Sequence, residues 1–593
     1  MKSLKKIYFV ILICCLSVTA LYAQENNSYF LHTIEKGQNL YSISSMYGID
    51  QDDIIRLNPG AADKIYAGQT LRIPKETTIE QEEVFHSIQP GETLYRLTQI
   101  YNISAKEIID ENPGLSADNF KIGQVVRIPV KQELEEKEPE EIVPEIPVAV
   151  VPRCQEMHKV KRKETIFSVS QKYGITEQEL IGANPELKDG MKRGQYLCIP
   201  FPAPVIERKR PEQLINPPTN SELFSQTQEQ AYTIPVIKAA VILPFTLEGE
   251  GKSESARMIE YYEGFLMAVD SLKKKGVFAG KEVEVYTYCS GNKQSSIQNI
   301  LVQPELKNMN IIFGPLYQEH IKPLSEFSDQ HNIRLVIPIT SRTNEVFQNP
   351  LVYQVNPPQS YLYSEVYEHF TRTFVNVNVI LIDTGAETDK ADFIAGLKQE
   401  LTNKRFSVQT LSGEPSKEKM QAALQAGKHN IFIPTSASNA DLVKILPHLK
   451  LLVQEQEFFK ISLFGYPEWQ TYTNDHLESF FEVDTYFYSP FYTNNLLPVA
   501  KDFINSYHNW YSKEMAKTFP KYGMLGFDTA NFFLTGLAKY GTGFENNLSR
   551  MHVPSIQTGF NFKRVNNWGG FINKNVFFIH LTKKHELIKM DFD

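Results

Sequence analysis

Residues 35–50 read EKGQNLYSISSMYGID, residues 89–104 read QPGETLYRLTQIYNIS, and residues 161–176 read KRKETIFSVSQKYGIT; the three align without a gap. They stay in step downstream. IIRLNPG (54–60), IIDENPG (108–114) and LIGANPE (180–186) follow, and IYAGQTLRIP (65–74), FKIGQVVRIP (120–129) and MKRGQYLCIP (191–200) close the copies. Repetition of this kind points to one small supersecondary unit used three times. Upstream of each segment, His32 and Ile34, His86 and Ile88, and His158 and Val160 alternate with polar neighbours as a half-buried strand does. Asn39, Thr93 and Thr165 then stand where an N-cap oxygen would accept the free amide protons of a helix. Behind them Leu40, Ile43 and Tyr47, Leu94, Leu97 and Tyr101, and Ile166, Val169 and Tyr173 recur on one buried helical face. Second helices are signalled at Asp50, Ser104 and Thr176, with Asp53, Glu107 and Glu179 at the capping-box spacing. Asn58, Asn112 and Asn184 each precede a proline, which pushes them out of the helical region and ends the helix. A last strand runs to Pro74, Pro129 or Pro200, so the predicted unit is strand, helix, helix, strand.

At 593 residues the chain is too long for one core and must hold several domains. A formal net charge of -8 supplies no basic field, so neither nucleic acid nor anionic lipid is an expected partner. Lys2, Lys5 and Lys6, an apolar run from Ile7 to Leu16 and small residues up to Ala23 have the layout of a secretory signal peptide over residues 1–23, cleaved after Ala23 or Ala20. No later segment reaches the roughly 18 continuous apolar residues of a membrane span. Cys14 and Cys15 lack the small residues upstream that a lipidation site needs. Export leaves Cys154, Cys198 and Cys289 in an oxidising compartment. Cys154 precedes the first strand of copy three and Cys198 lies in its last strand; adjacent antiparallel strands would bring the two within disulfide reach. Cys289 is then left over and expected to be buried.

The copies are expected at residues 29–75, 83–130 and 154–201. Residues 131–152 are rich in Glu and Pro and read as an extended charged spacer between copies two and three. A second polar, proline-rich spacer is expected over 202–235. From 236 to 593 the pattern changes to apolar strands alternating with helices, the mark of a parallel-sheet α/β domain. The strands are AAVILPF, EVEVYTY, NIIFGPL, IRLVIPITS, VNVILIDTG, NIFIPTS and ISLFGY. The length favours two lobes.

The repeated segments closely resemble the LysM family, a two-helix, two-strand module of this size and order. The resemblance implies binding of N-acetylglucosamine polymers, peptidoglycan among them, in a shallow groove between the loop after the first strand and the loop before the last. Carried over, the groove of copy one is Gly37, Gln38, Asn39 and Leu40 with Asn58 and Pro59. Copy two offers Gly91, Glu92, Thr93 and Leu94 with Asn112 and Pro113. Copy three has Lys163 where the family has glycine, which weakens its groove of Glu164, Thr165, Ile166, Asn184 and Pro185. The Asn, Thr and Gly of these loops also do turn and cap work whether or not sugar binds. Spaced copies on one polymer would gain avidity.

The second half resembles the type I periplasmic binding proteins of the leucine-binding class. The supporting residues are Pro244 after the first strand, the helix YYEGFLMAVDSL with Tyr262, Gly264 and Ala268, GPL at 314–316, and IPITS ending at Ser341. The implied fold class is three βααβ LysM modules followed by a two-lobed α/β domain. The resemblance implies a small solute, such as an amino acid or muropeptide, between the lobes, at positions matching Leu316, Thr340 and Ser341 on one side and Asp383, Thr384 and Tyr466 on the other. Cys289 stands where that family has an acidic strand end, so a cleft turned to contact with a cell-wall synthesis protein is an equal reading. EGEGKS (248–253) sits between a strand and a helix, but Thr246 occupies the first glycine position of a phosphate loop, which excludes it. No HExxH, GxSxG or Cys-His pairing marks a wall hydrolase, and no cofactor or metal is implied.

Overall fold

The computed structural model describes residues 29–74 apart from 36–37 and 63–64, then 84–129, most of 156–199, 217–227, 232–246, and 252–592 apart from 386–388 and 496. The expected signal segment and the spacer at 131–152 lie outside the described residues. Two compact units result: residues 131–218, which contain copy three, and the remainder.

Each copy pairs its first and last strands antiparallel, Tyr29–Thr33 with Thr70–Pro74, Val84–Ser87 with Val125–Ile128, and Glu156–Lys159 with Tyr196–Ile199. The first helices run Leu40–Tyr47, Leu94–Tyr101 and Ile166–Tyr173, as their periodicity predicts. Asn39 accepts from the Ser42 amide, Thr93 from that of Arg96 and Thr165 from that of Ser168. Ser104 and Glu107 form the predicted reciprocal box on the second helix of copy two. Asp50 makes no side-chain cap. Thr176 and Glu179 lie outside the described residues.

The α/β part has two lobes, each built on a seven-stranded sheet. The first sheet runs in the order Phe562–Arg564, Phe571–Asn573, Val352–Gln354, Arg334–Ile337, Ile311–Phe313, Val236–Leu243, Glu282–Cys289, parallel throughout except at the Phe562–Arg564 edge. The second runs Ser407–Ser412, Val377–Asp383, His429–Pro434, Lys460–Gly465, Thr485–Ser489, Phe577–Leu581, Leu587–Met590, with its last two strands antiparallel. Central strands such as Arg334–Ile337 and His429–Pro434 are buried along their whole length, as strands covered on both faces must be. The chain passes between lobes after Gln354, after Ser489 and after Asn573. Helix Lys252–Lys274 lies against Tyr522–Tyr540 in backbone contact. A Cβ on Gly264 would stand 1.8 Å from the Gly523 carbonyl oxygen, and one on Gly526 would stand 1.9 Å from that of Tyr261.

Two expectations are corrected. Residues 202–235 are not spacer throughout: Asn220–Thr227 is a helix, because Thr219 and Glu222 cap it and Leu223 and Phe224 give it an apolar side to bury on copy two. Cys289 is exposed rather than buried, since its strand is the edge of the first sheet; its sulfur accepts from the Phe245 amide.

Candidate functional site: the glycan grooves and the interlobe cleft

One side-chain chain recurs in all three copies. His32 Nδ1 faces the Tyr47 hydroxyl at 2.8 Å and His32 Nε2 faces Gln38 Oε1 at 2.8 Å. His86 does the same with Tyr101 at 2.9 Å and Glu92 at 2.6 Å, and His158 with Tyr173 at 3.0 Å and Glu164 at 2.9 Å. Gln38 Oε1, which also accepts the Glu35 amide, and the two carboxylates can only accept, so the proton sits on Nε2 and the tyrosine hydroxyl donates to Nδ1. The same Gln or Glu oxygen accepts the amide of Glu35, Gln89 or Lys161, closing the first loop on itself. Burial holds the His32 imidazole below its ordinary value, the Gln38 bond opposing it. Burial would raise the Glu92 carboxyl, but the Gln89 amide and His86 outweigh it and bring it down. The Lys161 amide, then His158, lower that of Glu164. The tyrosines thus work inside the module and are not sugar platforms. Sequence reading placed the histidines in strand packing and missed this bridge, although the fixed spacing of His, Gln or Glu, and Tyr carried it.

The asparagines are committed as fully. Asn58 donates to the carbonyls of Ile54 and Arg72 and accepts from the Arg72 amide, joining the second helix to the last strand. Asn112 repeats this with Ile108 and Arg127, and Asn184 with Leu180 and Cys198. Their amides shape the second loop and have no donor left for a sugar. Gln38, Glu92, Glu164, Asn39, Thr93 and Thr165 are likewise held by the module. The groove is left with exposed Pro59 and Pro113, Gly91, and the first helical amides of Leu40, Leu94 and Ile166, which have no acceptor within their helices. In copy two that amide donates to Asn220 Oδ1 at 2.9 Å. No described side chain accepts from Leu40 or Ile166. Gly37, Lys163 and Pro185 lie outside the described residues, as does Cys154; Cys198 is disulfide-bonded.

Copies one and two are built into the first lobe. Trp568, 2% exposed, has its ring 5.2 Å from Phe85 and 6.0 Å from Tyr47. Asn567 donates to the Val125 carbonyl, and the Gly114 amide donates to the Asn567 carbonyl. On copy one, Tyr41 and Ser45 donate to Asn344, and Gln348 donates to the carbonyls of Ser45 and Met46. A cavity of about 220 Å³ lies at this three-way junction, but the amide donors of Asn566 and Asn567 on its wall are already bonded to Phe347 and Val125.

At the interlobe positions, Thr340 donates to the Leu316 carbonyl, and the Ser341 carbonyl accepts from Gln354. Asp383 accepts from the Gly385 amide and Thr384 donates to Asp441 at 2.6 Å. Tyr466 is wholly buried in the second lobe's core and donates to the Pro434 carbonyl, so it is a core residue rather than a wall of the cleft. Asp441, absent from the sequence reading, takes hydrogen bonds from both Thr384 and Ser438 and so orders this strand end. Lys390, buried, pairs with Glu468 at 2.6 Å and lies over the Tyr466 ring.

The LysM domain family matches residues 32–74, 86–129 and 158–200. The three repeats are LysM domains. Among curated proteins, an autolysin of Enterococcus faecalis is 30% identical over 105 residues, 16% of this chain and 14% of its own length. The probable peptidoglycan endopeptidase LytE of Bacillus subtilis is 24% identical over 28% of this chain and 49% of its own length. The cell wall-binding protein YocH of the same species is 28% identical over 21% and 42%. The chain thus spans less than half the length of each of these relatives. Among solved structures, a putative branched-chain amino acid transporter protein of Rhodospirillum rubrum aligns with a TM-score of 0.42 at 11% identity, covering 60% of this chain and 100% of that one. A substrate-binding protein of Desulfitobacterium hafniense, in complex with Leu, aligns at 0.33 and 12%, with the same coverage. No helix among the described residues is long and apolar enough to cross a membrane.

Proposed function

We propose that this chain is an exported, non-enzymatic cell-envelope protein that holds peptidoglycan glycan through its LysM domains and carries a two-lobed α/β domain fixed to two of them. The observation that carries the reading is the threefold recurrence of the LysM domain with the same histidine bridge and asparagine staple in each copy. Nothing in those networks is poised for catalysis: the histidines are clamped on both nitrogens and the carboxylates serve their own loops. Purified full-length chain should sediment with peptidoglycan sacculi and leave them undigested. Chain that stays in the supernatant, or that releases muropeptides, overturns the proposal.

For the α/β domain the scaffold reading, in which it meets a cell-wall synthesis protein and takes no amino acid, is favoured. Thr340 and Thr384, the hydroxyls that would hold a solute carboxylate, donate to partners inside their own lobes, and the Tyr466 hydroxyl is buried. A melting-temperature screen with amino acids and muropeptides should leave the α/β transition unmoved. A saturable upward shift with either would restore the solute reading.

A further inference from the structure

Leu94 begins the first helix of copy two, with Thr93 as its N-cap, so its amide has no acceptor within the helix and is a donor the first loop can present to a ligand. That donor is taken by the side-chain oxygen of Asn220, 2.9 Å away. Across the module, the ring of Phe224 meets that of Phe120 at 6.5 Å, edge to face. Leu223 and Phe224 pack on the cluster that contains Leu94, Ile108, Leu115 and Phe120. The helix Asn220–Thr227 therefore reaches from the loop after the first strand to the loop before the last, the two walls between which a LysM groove lies. Its start is locally fixed: the Glu222 carboxylate accepts from the Thr219 amide at 2.8 Å, and the Thr219 hydroxyl accepts from the Glu222 amide.

We infer that the glycan groove of copy two is occupied at its Leu94 end by the chain's own helix 220–227, while Gly91 and Pro113 stay exposed, with the Asn220 carboxamide taking the amide donor that an acetamido group of the glycan would otherwise use. The inference rests on the reading of the LysM domains as glycan binders. An asparagine side chain and an N-acetyl group both present an amide carbonyl, so one acceptor substitutes for the other without leaving Leu94 unpaired. A tethered occupant competes at an effective concentration on the order of millimolar, which a single weakly held sugar does not displace. Copy two then serves as a mounting for the α/β domain, and glycan binding falls to copies whose loops are open.

Hydrogen exchange at the Leu94 amide, in the full-length chain with and without a soluble N-acetylglucosamine oligomer, tests this directly. In the unaltered protein the amide should be protected to the same degree in both conditions. The variant N220A/L223E/F224E should lose that protection without oligomer and regain it with oligomer. N220A alone, which leaves the apolar contacts and the fold of the helix in place, should speed exchange about five- to tenfold, the loss of one hydrogen bond. Oligomer-dependent protection of Leu94 in the unaltered chain would overturn the inference, because the groove would then be open. So would failure of the oligomer to protect Leu94 in the triple variant while copies one or three respond. If no copy responds in either protein, the glycan reading itself has failed along with the inference that rests on it.

Discussion

Copies two and three share one internal design and differ in what completes it. In both, a histidine bridges a loop carboxylate and a tyrosine, and an asparagine ties the second helix to the last strand. Copy two adds Leu223 and Phe224 to its core from a distant stretch of chain and lies against Trp568 through Phe85. Copy three closes on its own cluster of Val160, Val169, Ile175, Leu180, Leu187, Leu197 and Ile199, and Cys198 is in a disulfide. Modules this small bury too little surface to be secure alone. The contrast teaches that the same βααβ unit is completed by neighbouring structure in one place and by a covalent link in the other.

The strongest way to break the contrast is W568A. Losing this buried ring should destabilise the unit containing copies one and two by about 3–5 kcal/mol and leave copy three unchanged, read by denaturant unfolding with region-resolved hydrogen exchange. A global loss that includes copy three would show the two settings are not separate. Reducing the disulfide at Cys198 should act in the opposite place, costing copy three about 2–4 kcal/mol while the α/β transition holds; mass mapping of the oxidised chain should find Cys154 as its partner. N112A and N184A sharpen the shared part. Each strands buried backbone groups and should cost about 2 kcal/mol, equally in both copies, by the same exchange measurement. The smallest effect is acidic. The buried His32 imidazole is held below its ordinary 6.5, so the folded chain binds that proton more weakly than the unfolded chain does. Copy one should be most stable above about pH 6.5 and loosen as pH falls through the lowered value, and H32Q should flatten that slope.

Much of this was legible in the sequence. The first helices and their caps followed from period and N-cap chemistry, because those determinants lie within a few residues of one another. The parallel strands AAVILPF and NIFIPTS were visible as apolar runs. The strand Ser407–Ser412 was not, since it is an edge strand with a mixed burial pattern. Nor were the strands from Phe562 onward, which return to both sheets from the far end of the chain. Site residues were harder to read. Asn58, Asn112 and Asn184 recur because the module needs them, and recurrence among copies does not separate a ligand contact from a staple. The pairing of Leu94 with Asn220 joins residues on either side of an entire intervening domain, and no local pattern announces it.

Trp568 sits in the segment that leads through Phe571–Asn573 in the first lobe directly to Phe577–Leu581 in the second. A pull on the first two repeats would therefore be delivered through an indole ring to one of the three chain crossings between the lobes. Mechanical load on those repeats would then reach that crossing within a few residues of chain.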